Sequence, residues 1–411
     1  MPAQPDWAAP RRVALLIAGY LLTHLGVRLW IGPGLGVDDA EQALFAQHWL
    51  LSYRLRAPPL FTWALMAVSP LTGGVGMVAI SLLRYLLLAM VLGFIWLTAR
   101  RLIRDPALAA LATFSITAVY VFGYYSHHDL THTTTLSAFL AAGWYAFVRL
   151  CETPTLRWYL ALGASLGLGT LGKWNCAVLA VALPVACLLL APYRRLVINW
   201  RIVPAAVLAA AIVLPSALGA LQIGVVPGDD MHGVLGNRGG SLLWVLSKGT
   251  ASLIVATLVY PQPFLAIFLI GFATIAWRGL CQPAPAAAGG LEANPGAALL
   301  ATVMAVAVAL HWLLVPLARA TEFQERLLQP ALMILPVYLF MLVERGLQAS
   351  DNPARLIRNY ARTLAAVAGV ALIARIGIHA VGADYCRSAC RELLPAAEIA
   401  AGLSAADTRS P

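Results

Sequence analysis

Charge is scarce in this 411-residue sequence: Asp, Glu, Lys and Arg make up 11% of it, while 61% of the residues are hydrophobic. A soluble globular domain carries roughly 25% charged residues. Because so few charges are available to meet water, most of the surface must face lipid. The net charge of +10 would by itself suggest a nucleic-acid partner. The arginines instead occur in short clusters between apolar runs, so we expect no nucleic acid to bind.

The motifs that mark nucleotide and metal enzymes are also missing. No glycine-rich P-loop or dinucleotide-binding fingerprint occurs. The six cysteines show no CxxC or Cys/His metal spacing, and a disulfide between Cys386 and Cys390 stays open. A zinc site assembled from His48, His127 or His232 would need distant loops, and no spacing supports it. The sequence therefore predicts no cofactor, and the need for a divalent metal stays open, although no spacing supports one.

Long apolar runs dominate the rest of the sequence, and a membrane-spanning helix needs about 20 such residues. We predict an all-α, polytopic transmembrane helical bundle with about eleven spans. The domain prediction is a transmembrane domain over residues 1–381, with a short periplasmic tail over 382–411. The predicted spans are 13–31, 72–98, 107–125, 131–149, 157–173, 175–192, 203–222, 250–275, 297–317, 327–343 and 363–381.

The distribution of arginine predicts the topology. Arg11 and Arg12 precede the first run, which we interpret as a retained helix, and they place the N-terminus in the cytoplasm. Alternation then puts more than half of the 28 basic residues on that side. The other face, which we assign to the periplasm of a bacterial inner membrane, receives the remaining connections. These are residues 32–71, 126–130, 173–174, 223–249, 318–326 and the tail.

The first periplasmic loop, residues 32–71, is the longest of these connections. After a turn-prone start, the stretch DDAEQALFAQHWLLSY has apolar residues at helical spacing, which predicts an amphipathic helix in the membrane interface. Pro58 and Pro59 end it. Asp38 and Asp39 stand at its beginning. Two interpretations stay open and can hold together: Asp39 caps the helix, and at least one of the pair, such as Asp38 facing a cavity, is catalytic or binds the acceptor.

A second acidic stretch, YYSHHDLTH at residues 124–132, forms the turn between two predicted spans. It contains His128 and Asp129. Titratable groups at this depth are costly unless they are buried in protein and paired. Asp129 therefore either holds a His or Arg neighbour in place or belongs to a site.

Basic residues accompany these acids on the same face. Arg54 and Arg56 lie in the first loop, and Lys173 and Arg326 lie in tight turns at span ends, with Glu325 beside the last. Arg28 and Arg84 lie within predicted spans, where they either snorkel outward or line a polar cavity. Carboxylates and cations on one face suit a reaction of a membrane-dissolved phosphate ester, because Arg binds phosphate bidentately.

Four stretches together resemble a known family: residues 36–65, with the acidic pair and two prolines; residues 124–150; the glycine-rich residues 166–184; and residues 323–336. They resemble GT-C glycosyltransferases of the bacterial protein-O-mannosyltransferase and aminoarabinose-transferase type (glycosyltransferase family 39). The resemblance implies a GT-C fold and a polyprenyl- or dolichyl-phosphate sugar donor. It also implies an acceptor outside the cytoplasm.

The resemblance also implies roles for individual residues. Asp38 would be the catalytic carboxylate, with Asp39 and Asp129 as further acids, and Lys173 and Arg326 would contact the donor phosphate. Residues expected to bind substrate in addition are His128, Arg56, Arg84 and Glu325. Many members carry Lys or His directly before the two prolines, where this chain has Ala57.

We thus predict inverting transfer of a sugar to a lipid or envelope-glycan acceptor, because no large soluble domain for a protein acceptor is evident. A transporter or lipid flippase is the alternative, but such proteins favour midplane sites and internal repeats. A non-catalytic assembly subunit would leave the acids unexplained. The sugar, the acceptor and the oligomeric state stay open.

Overall fold

The computed structural model describes residues 6–32, 34–54, 57–222, 235–236, 240–281, 296–347 and 352–385. Within these ranges the chain is helical, with two isolated β-bridges and no strand. The α-helices are α1 Pro10–Ile31, α2 Val37–Phe45, α3 Leu60–Val68, α4 Met77–Leu102, α5 Pro106–Ser115, α6 Tyr120–Gly123, α7 Thr131–Glu152, α8 Leu156–Gly172, α9 Cys176–Leu189, α10 Arg194–Val197, α11 Ile202–Gln222, α12 Leu242–Val259, α13 Phe264–Cys281, α14 Ala297–Leu317, α15 Gln329–Leu332, α16 Leu335–Gly346 and α17 Pro353–Tyr385.

The number of spans differs from the eleven predicted. Eight helices of the described chain are long and apolar enough to cross a membrane, and ten if two bent pairs each count as one span. In one pair, Cys176–Leu189 turns by 113° into Ala191–Val197. In the other, Glu325–Leu332 turns by 48° into Leu335–Gly346. The all-helical membrane bundle is confirmed, and the exact count of eleven is not.

Two further predicted spans are interrupted in the structure. The run 250–275 is two helices, α12 and α13, because Pro261 and Pro263 lack the backbone N–H that would continue a helix. The run 107–125 ends its regular helix at Ser115 and continues as the 3-10 turn Ile116–Ala118 and the short α6. In both cases the sequence is apolar throughout, but the helix is interrupted.

The core lies along α4 and α7, which pack against each other and against α1, α5 and α8. Trp144 of α7 is fully buried among them. Small residues let other helices approach closely, as in membrane proteins generally. A Cβ added at Gly279 of α13 would lie 1.9 Å from the Leu342 carbonyl oxygen of α16. Exposed apolar side chains such as Leu22, Ile270 and Ile373 cover the outside and suit contact with lipid.

The two ends of the bundle carry different chemistry. At the arginine end, Arg101 in the last turn of α4 forms an ion pair of 3.5 Å with Glu152 at the end of α7. At the other end, which we call the acidic end, four connections come together: residues 34–36, 124–130, 173–175 and 318–328. Asn175 there donates a hydrogen bond of 3.1 Å to the Leu327 carbonyl. The predicted alternation of loops between two faces therefore matches how the helices are connected.

Candidate active site

A buried arginine holds the turn that connects α1 to α2 and leads into the site. Arg28 is fully buried near the end of α1. Its Nη1 donates to the Gly32 carbonyl at 3.1 Å and its Nη2 to the Gly34 carbonyl at 2.6 Å. Of the two interpretations of this residue, the outward snorkel is wrong, since the guanidinium is enclosed and orders the turn before α2.

The observed helix, α2, is shorter than the interfacial helix that the apolar pattern predicts. α2 begins after Gly36 and ends at Phe45, well before Pro58 and Pro59. Gly36 stands at the N-cap, and no side chain caps the helix, so the capping interpretation of Asp39 is wrong. Asp38 and Asp39 lie in the first turn instead, where the positive end of the helix dipole stabilises carboxylates.

Asp39 forms a buried ion pair with Arg84 of α4. Neither side chain is exposed, and Arg84 Nη2 donates to Asp39 Oδ1. The outward snorkel is therefore wrong for Arg84 as well. Asp39 Oδ2 and Arg84 Nη1 are buried and have no hydrogen-bond partner among the described residues. The pair joins α2 to the core helix α4 and sets the position of the helix that carries Asp38.

The turn 124–130 meets the start of α2. Asp129 Oδ1 accepts a hydrogen bond of 3.1 Å from the Asp38 backbone N–H. Leu130 has a φ of 65°, so the chain reverses sharply into α7. At Gly36 an added Cβ would lie 2.9 Å from the His128 carbonyl oxygen, so a glycine is needed for this close approach. The two acidic stretches, about ninety residues apart in sequence, are thus in direct contact.

The environment of the acids favours their neutral forms. Burial raises the pKa of the Asp38 carboxyl above its usual 3.8, opposed by Arg326 and Lys173. Burial also raises the pKa of Asp129 to about 6, and the negative charges of Asp38 and Asp39 add to this shift. No described residue forms an ion pair with the Asp38 carboxylate. The Asp38 carboxyl therefore has a raised pKa and forms no ion pair within the described part of the chain.

Two cations face Asp38 from other connections. Lys173 follows α8, and its Nζ donates to Thr133 Oγ1 of α7 at 3.1 Å. Arg326 lies in the 3-10 turn Glu325–Leu328, and its Nε donates to Gln324 Oε1 at 2.7 Å. Burial and the charge of Arg326 lower the pKa of Lys173 to about 7. The site thus combines carboxylates and cations from four connections, as a transfer reaction of a phosphate ester requires.

Comparison with protein families gives a match over residues 56–218, to the family described as dolichyl-phosphate-mannose-protein mannosyltransferase. The match spans 163 of the 411 residues, and over that part the chain is similar to glycosyltransferases of the GT-C superfamily. The resemblance drawn from the four sequence stretches is confirmed.

Two curated relatives of the chain come from Rhizobium johnstonii. Lipopolysaccharide core galacturonosyltransferase RgtA is 28% identical over 95% of this chain and 75% of its own length. Lipopolysaccharide core galacturonosyltransferase RgtB is 30% identical over 80% of this chain and 64% of its own length. The structure of ArnT from Cupriavidus metallidurans bound to undecaprenyl phosphate is similar with a TM-score of 0.57 and 17% identity. That similarity covers 87% of this chain and 63% of ArnT, and it shows the fold.

The other predicted site residues are placed as follows. His128 lies in the acidic turn, with Nδ1 3.2 Å from the Tyr124 carbonyl oxygen and its ring stacked on Tyr125. Glu325 is partly exposed beside Arg326. Arg56, like Cys386 and Cys390, lies outside the described residues. Contact of these side chains with substrate stays a prediction.

The sequence did not single out a polar network beneath the acids. Gln42 of α2 is fully buried, where its Oε1 accepts from Thr62 Oγ1 at 2.6 Å. Its Nε2 lies 3.1 Å from His132 Nε2 of α7. Gln42 follows Asp38 by four residues, so helical spacing already places it on the same face. A glutamine on the face of α2 that carries Asp38 was the feature of the sequence that could have indicated this network.

In the part of the chain that the structure describes, no group of three His, Cys, Asp or Glu side chains is arranged to hold a metal ion. The need for a divalent metal in the reaction therefore stays open.

Proposed function

We propose that this GT-C protein transfers a sugar from a polyprenyl-phosphate donor to a lipid or envelope-glycan acceptor. The reaction takes place at the periplasmic face of a bacterial inner membrane. The observation that carries the proposal is the position of Asp38 at the start of α2: its backbone N–H donates to Asp129, and its carboxyl is faced by Lys173 and Arg326.

The proposed mechanism is a single displacement at the anomeric carbon. The acceptor hydroxyl attacks that carbon, and Asp38 takes its proton as general base. The bond between the anomeric carbon and the phosphate oxygen breaks, and the phosphate leaves with the electron pair. Lys173 and Arg326 stabilise the charge that grows on the leaving phosphate. Inversion follows, because one attack on the face opposite the leaving group completes the transfer.

The distribution of charge supports a periplasmic site. The arginine end of the bundle carries Arg101, Arg104 and Arg149, as the cytoplasmic loops of bacterial membrane proteins do. The acidic end lies at the other ends of the same helices. A donor that dissolves in lipid by its polyprenyl tail would present its phosphate at the depth of Lys173 and Arg326.

The relatives support an acidic sugar and a lipopolysaccharide core acceptor. Two of them are named galacturonosyltransferases of that core, and ArnT was solved with undecaprenyl phosphate. A phosphate-linked hexuronic acid has two anionic groups, its phosphate and its carboxylate. Lys173 and Arg326 are two cations that form no ion pair with a described carboxylate. The match in charge favours a hexuronic acid over a neutral hexose.

The choice of sugar is tested with the purified protein in liposomes and two donors, polyprenyl-phosphate galacturonic acid and polyprenyl-phosphate galactose. We expect faster release of the acidic sugar from its carrier, by about tenfold or more, since a hydrogen bond to a charged group contributes about 1.5–3 kcal/mol. Lys173→Gln and Arg326→Gln should each slow both donors, because both cations contact the phosphate, and the variant that removes the cation nearer the sugar carboxylate should also lose the preference. Equal rates for the two donors in the wild type would refute the acidic sugar. Donor that crosses the bilayer intact would indicate a flippase.

The pH dependence of transfer should be bell-shaped. Asp38 acts as base only when ionised, so activity falls as the pH drops through its raised pKa. Lys173 binds phosphate only when protonated, and its pKa of about 7 makes activity fall above neutral pH. In Lys173→Arg the guanidinium stays charged, so the alkaline limb of kcat/KM should move up by more than about one pH unit.

The control for this shift is Lys248→Arg, which changes a lysine paired with Glu322 at 3.5 Å. Its alkaline limb should match that of the wild type. An alkaline limb unmoved in Lys173→Arg would show that Lys173 does not act on the donor phosphate.

A further inference from the structure

A buried polar cluster lies behind the acidic end and takes no part in the mechanism above. We call it the Arg375 cluster: Tyr20 and His24 of α1, Tyr85 of α4, His127 of the acidic turn, and Arg375 of α17. Arg375 is 2% exposed and His127 is 1% exposed. The cluster joins the last described helix of the chain to the first.

Arg375 contacts three other elements with its guanidinium. Nη2 donates to the His127 carbonyl at 2.9 Å. Nη1 donates to the Tyr85 hydroxyl at 3.2 Å and to the His24 carbonyl at 3.3 Å. These acceptors are neutral, and no described carboxylate forms an ion pair with Arg375. Because a buried, unpaired cation is costly inside a membrane protein, this arrangement indicates a function.

The His127 side chain is held by the same cluster. Its Nε2 lies 2.8 Å from the Tyr20 hydroxyl, and its Nδ1 lies 3.3 Å from the Tyr85 hydroxyl. Its ring stacks on His24 with centroids 3.8 Å apart. Both the backbone and the ring of His127 are therefore fixed by groups on α1, α4 and α17.

The Arg375 cluster lies next to two contacts that carboxylates of the site make, those of Asp129 and of Asp39. His127 is two residues before Asp129, which accepts the Asp38 backbone N–H. Tyr85 follows Arg84, which pairs with Asp39. Arg375 thus bonds to the turn 124–130 and to Tyr85 beside Arg84, and this turn and Arg84 set the position of α2.

We propose that Arg375 is a positioning residue, which holds the turn 124–130 so that Asp129 fixes the start of α2 and the Asp38 carboxylate. The proposal rests on the function proposed above, because it assigns Arg375 a role in the turnover of that site. Arg375 itself contacts neither donor nor acceptor. Its loss should slow the chemical step and leave donor binding unchanged.

The kinetic test compares Arg375→Gln and Arg375→Lys with Arg362→Gln, which changes an exposed arginine on the same helix. A displacement of about 1 Å at a reacting group can cost about 10²-fold in rate. We therefore expect kcat to fall about 10- to 100-fold in Arg375→Gln, with KM for the polyprenyl-phosphate donor within about twofold. Arg375→Lys should retain part of the kcat that Arg375→Gln loses, and Arg362→Gln should have the kcat and KM of the wild type.

A second measurement does not depend on activity. Hydrogen exchange followed by mass spectrometry should show faster exchange of the amides of residues 124–130 in Arg375→Gln and not in Arg362→Gln. Tyr20→Phe removes one hydroxyl from the cluster and gives a milder variant, with a smaller loss of kcat, should Arg375→Gln fail to fold.

Unchanged kcat and unchanged exchange in Arg375→Gln would overturn the proposal, as would a rise in KM that matches the loss of kcat. If Arg375→Gln does not fold, unchanged kcat and exchange in Tyr20→Phe would overturn it. Faster exchange of the turn together with a wild-type protein that transfers no sugar would refute the proposed function and leave the contact of Arg375 with the turn established.

Discussion

Asp38→Asn should lower kcat for sugar transfer by about 10²- to 10⁴-fold, the usual contribution of general acid–base catalysis. The amide has nearly the same shape as the carboxylate but cannot take the proton of the acceptor hydroxyl. Since the Asp38 side chain forms no ion pair with a described residue, its replacement should not unfold the protein. The measurement is sugar release from the polyprenyl-phosphate donor, with thermal unfolding in detergent as a check on folding.

Glu41→Gln is the matched control for this variant. Glu41 lies one turn further along α2 and pairs with Arg54 at 3.4 Å, at the partly exposed side of the helix. Its loss should change kcat by less than about twofold, because a surface ion pair contributes little. Transfer at the wild-type rate by Asp38→Asn would reject Asp38 as the base.

Arg84→Met should be among the most destabilising single changes in the chain. It leaves the Asp39 carboxylate buried without its partner, and breaking a buried ion pair from one side costs about 3–5 kcal/mol. The free energy of unfolding in detergent, followed by circular dichroism, measures this loss. Asp39→Leu should destabilise for the same reason, because it leaves the Arg84 guanidinium buried.

The double variant Asp39→Leu with Arg84→Met separates charge from packing. Replacement of both partners by apolar groups removes the unpaired charge, so the double variant should be more stable than Arg84→Met alone. It should still transfer sugar poorly, because α2 has lost its connection to α4. A double variant less stable than either single variant would show that the pair stabilises the fold by more than mutual neutralisation.

The acidic site was largely predictable from the sequence. Alternating apolar runs place every second connection at the same end of a bundle, which predicts Asp38, Asp129, Lys173 and Arg326 at one end. The structure brings the first two into contact through the Asp38 N–H and places both cations around them. Their catalytic roles rest on the experiments proposed above.

The partners of the buried arginines were not predictable. Arg84 pairs with a residue 45 positions away, and Arg375 bonds to His127 at a separation of 248 positions. Hydropathy indicates only that a charge lies inside an apolar run; it does not indicate which way the side chain points. Pro263 is a helix-breaking residue that the sequence shows. Because the residues on both sides of it are apolar, hydropathy predicted a single span there.

The central claim is that sugar transfer takes place at the acidic end, between Asp38 and the two cations. A structure of the protein with bound polyprenyl-phosphate sugar tests it most directly. We predict the donor phosphate within hydrogen-bond distance, about 2.7–2.9 Å, of Lys173 and Arg326, with the anomeric carbon facing Asp38. A phosphate bound at the arginine end, near Arg101 and Arg149, would contradict the account.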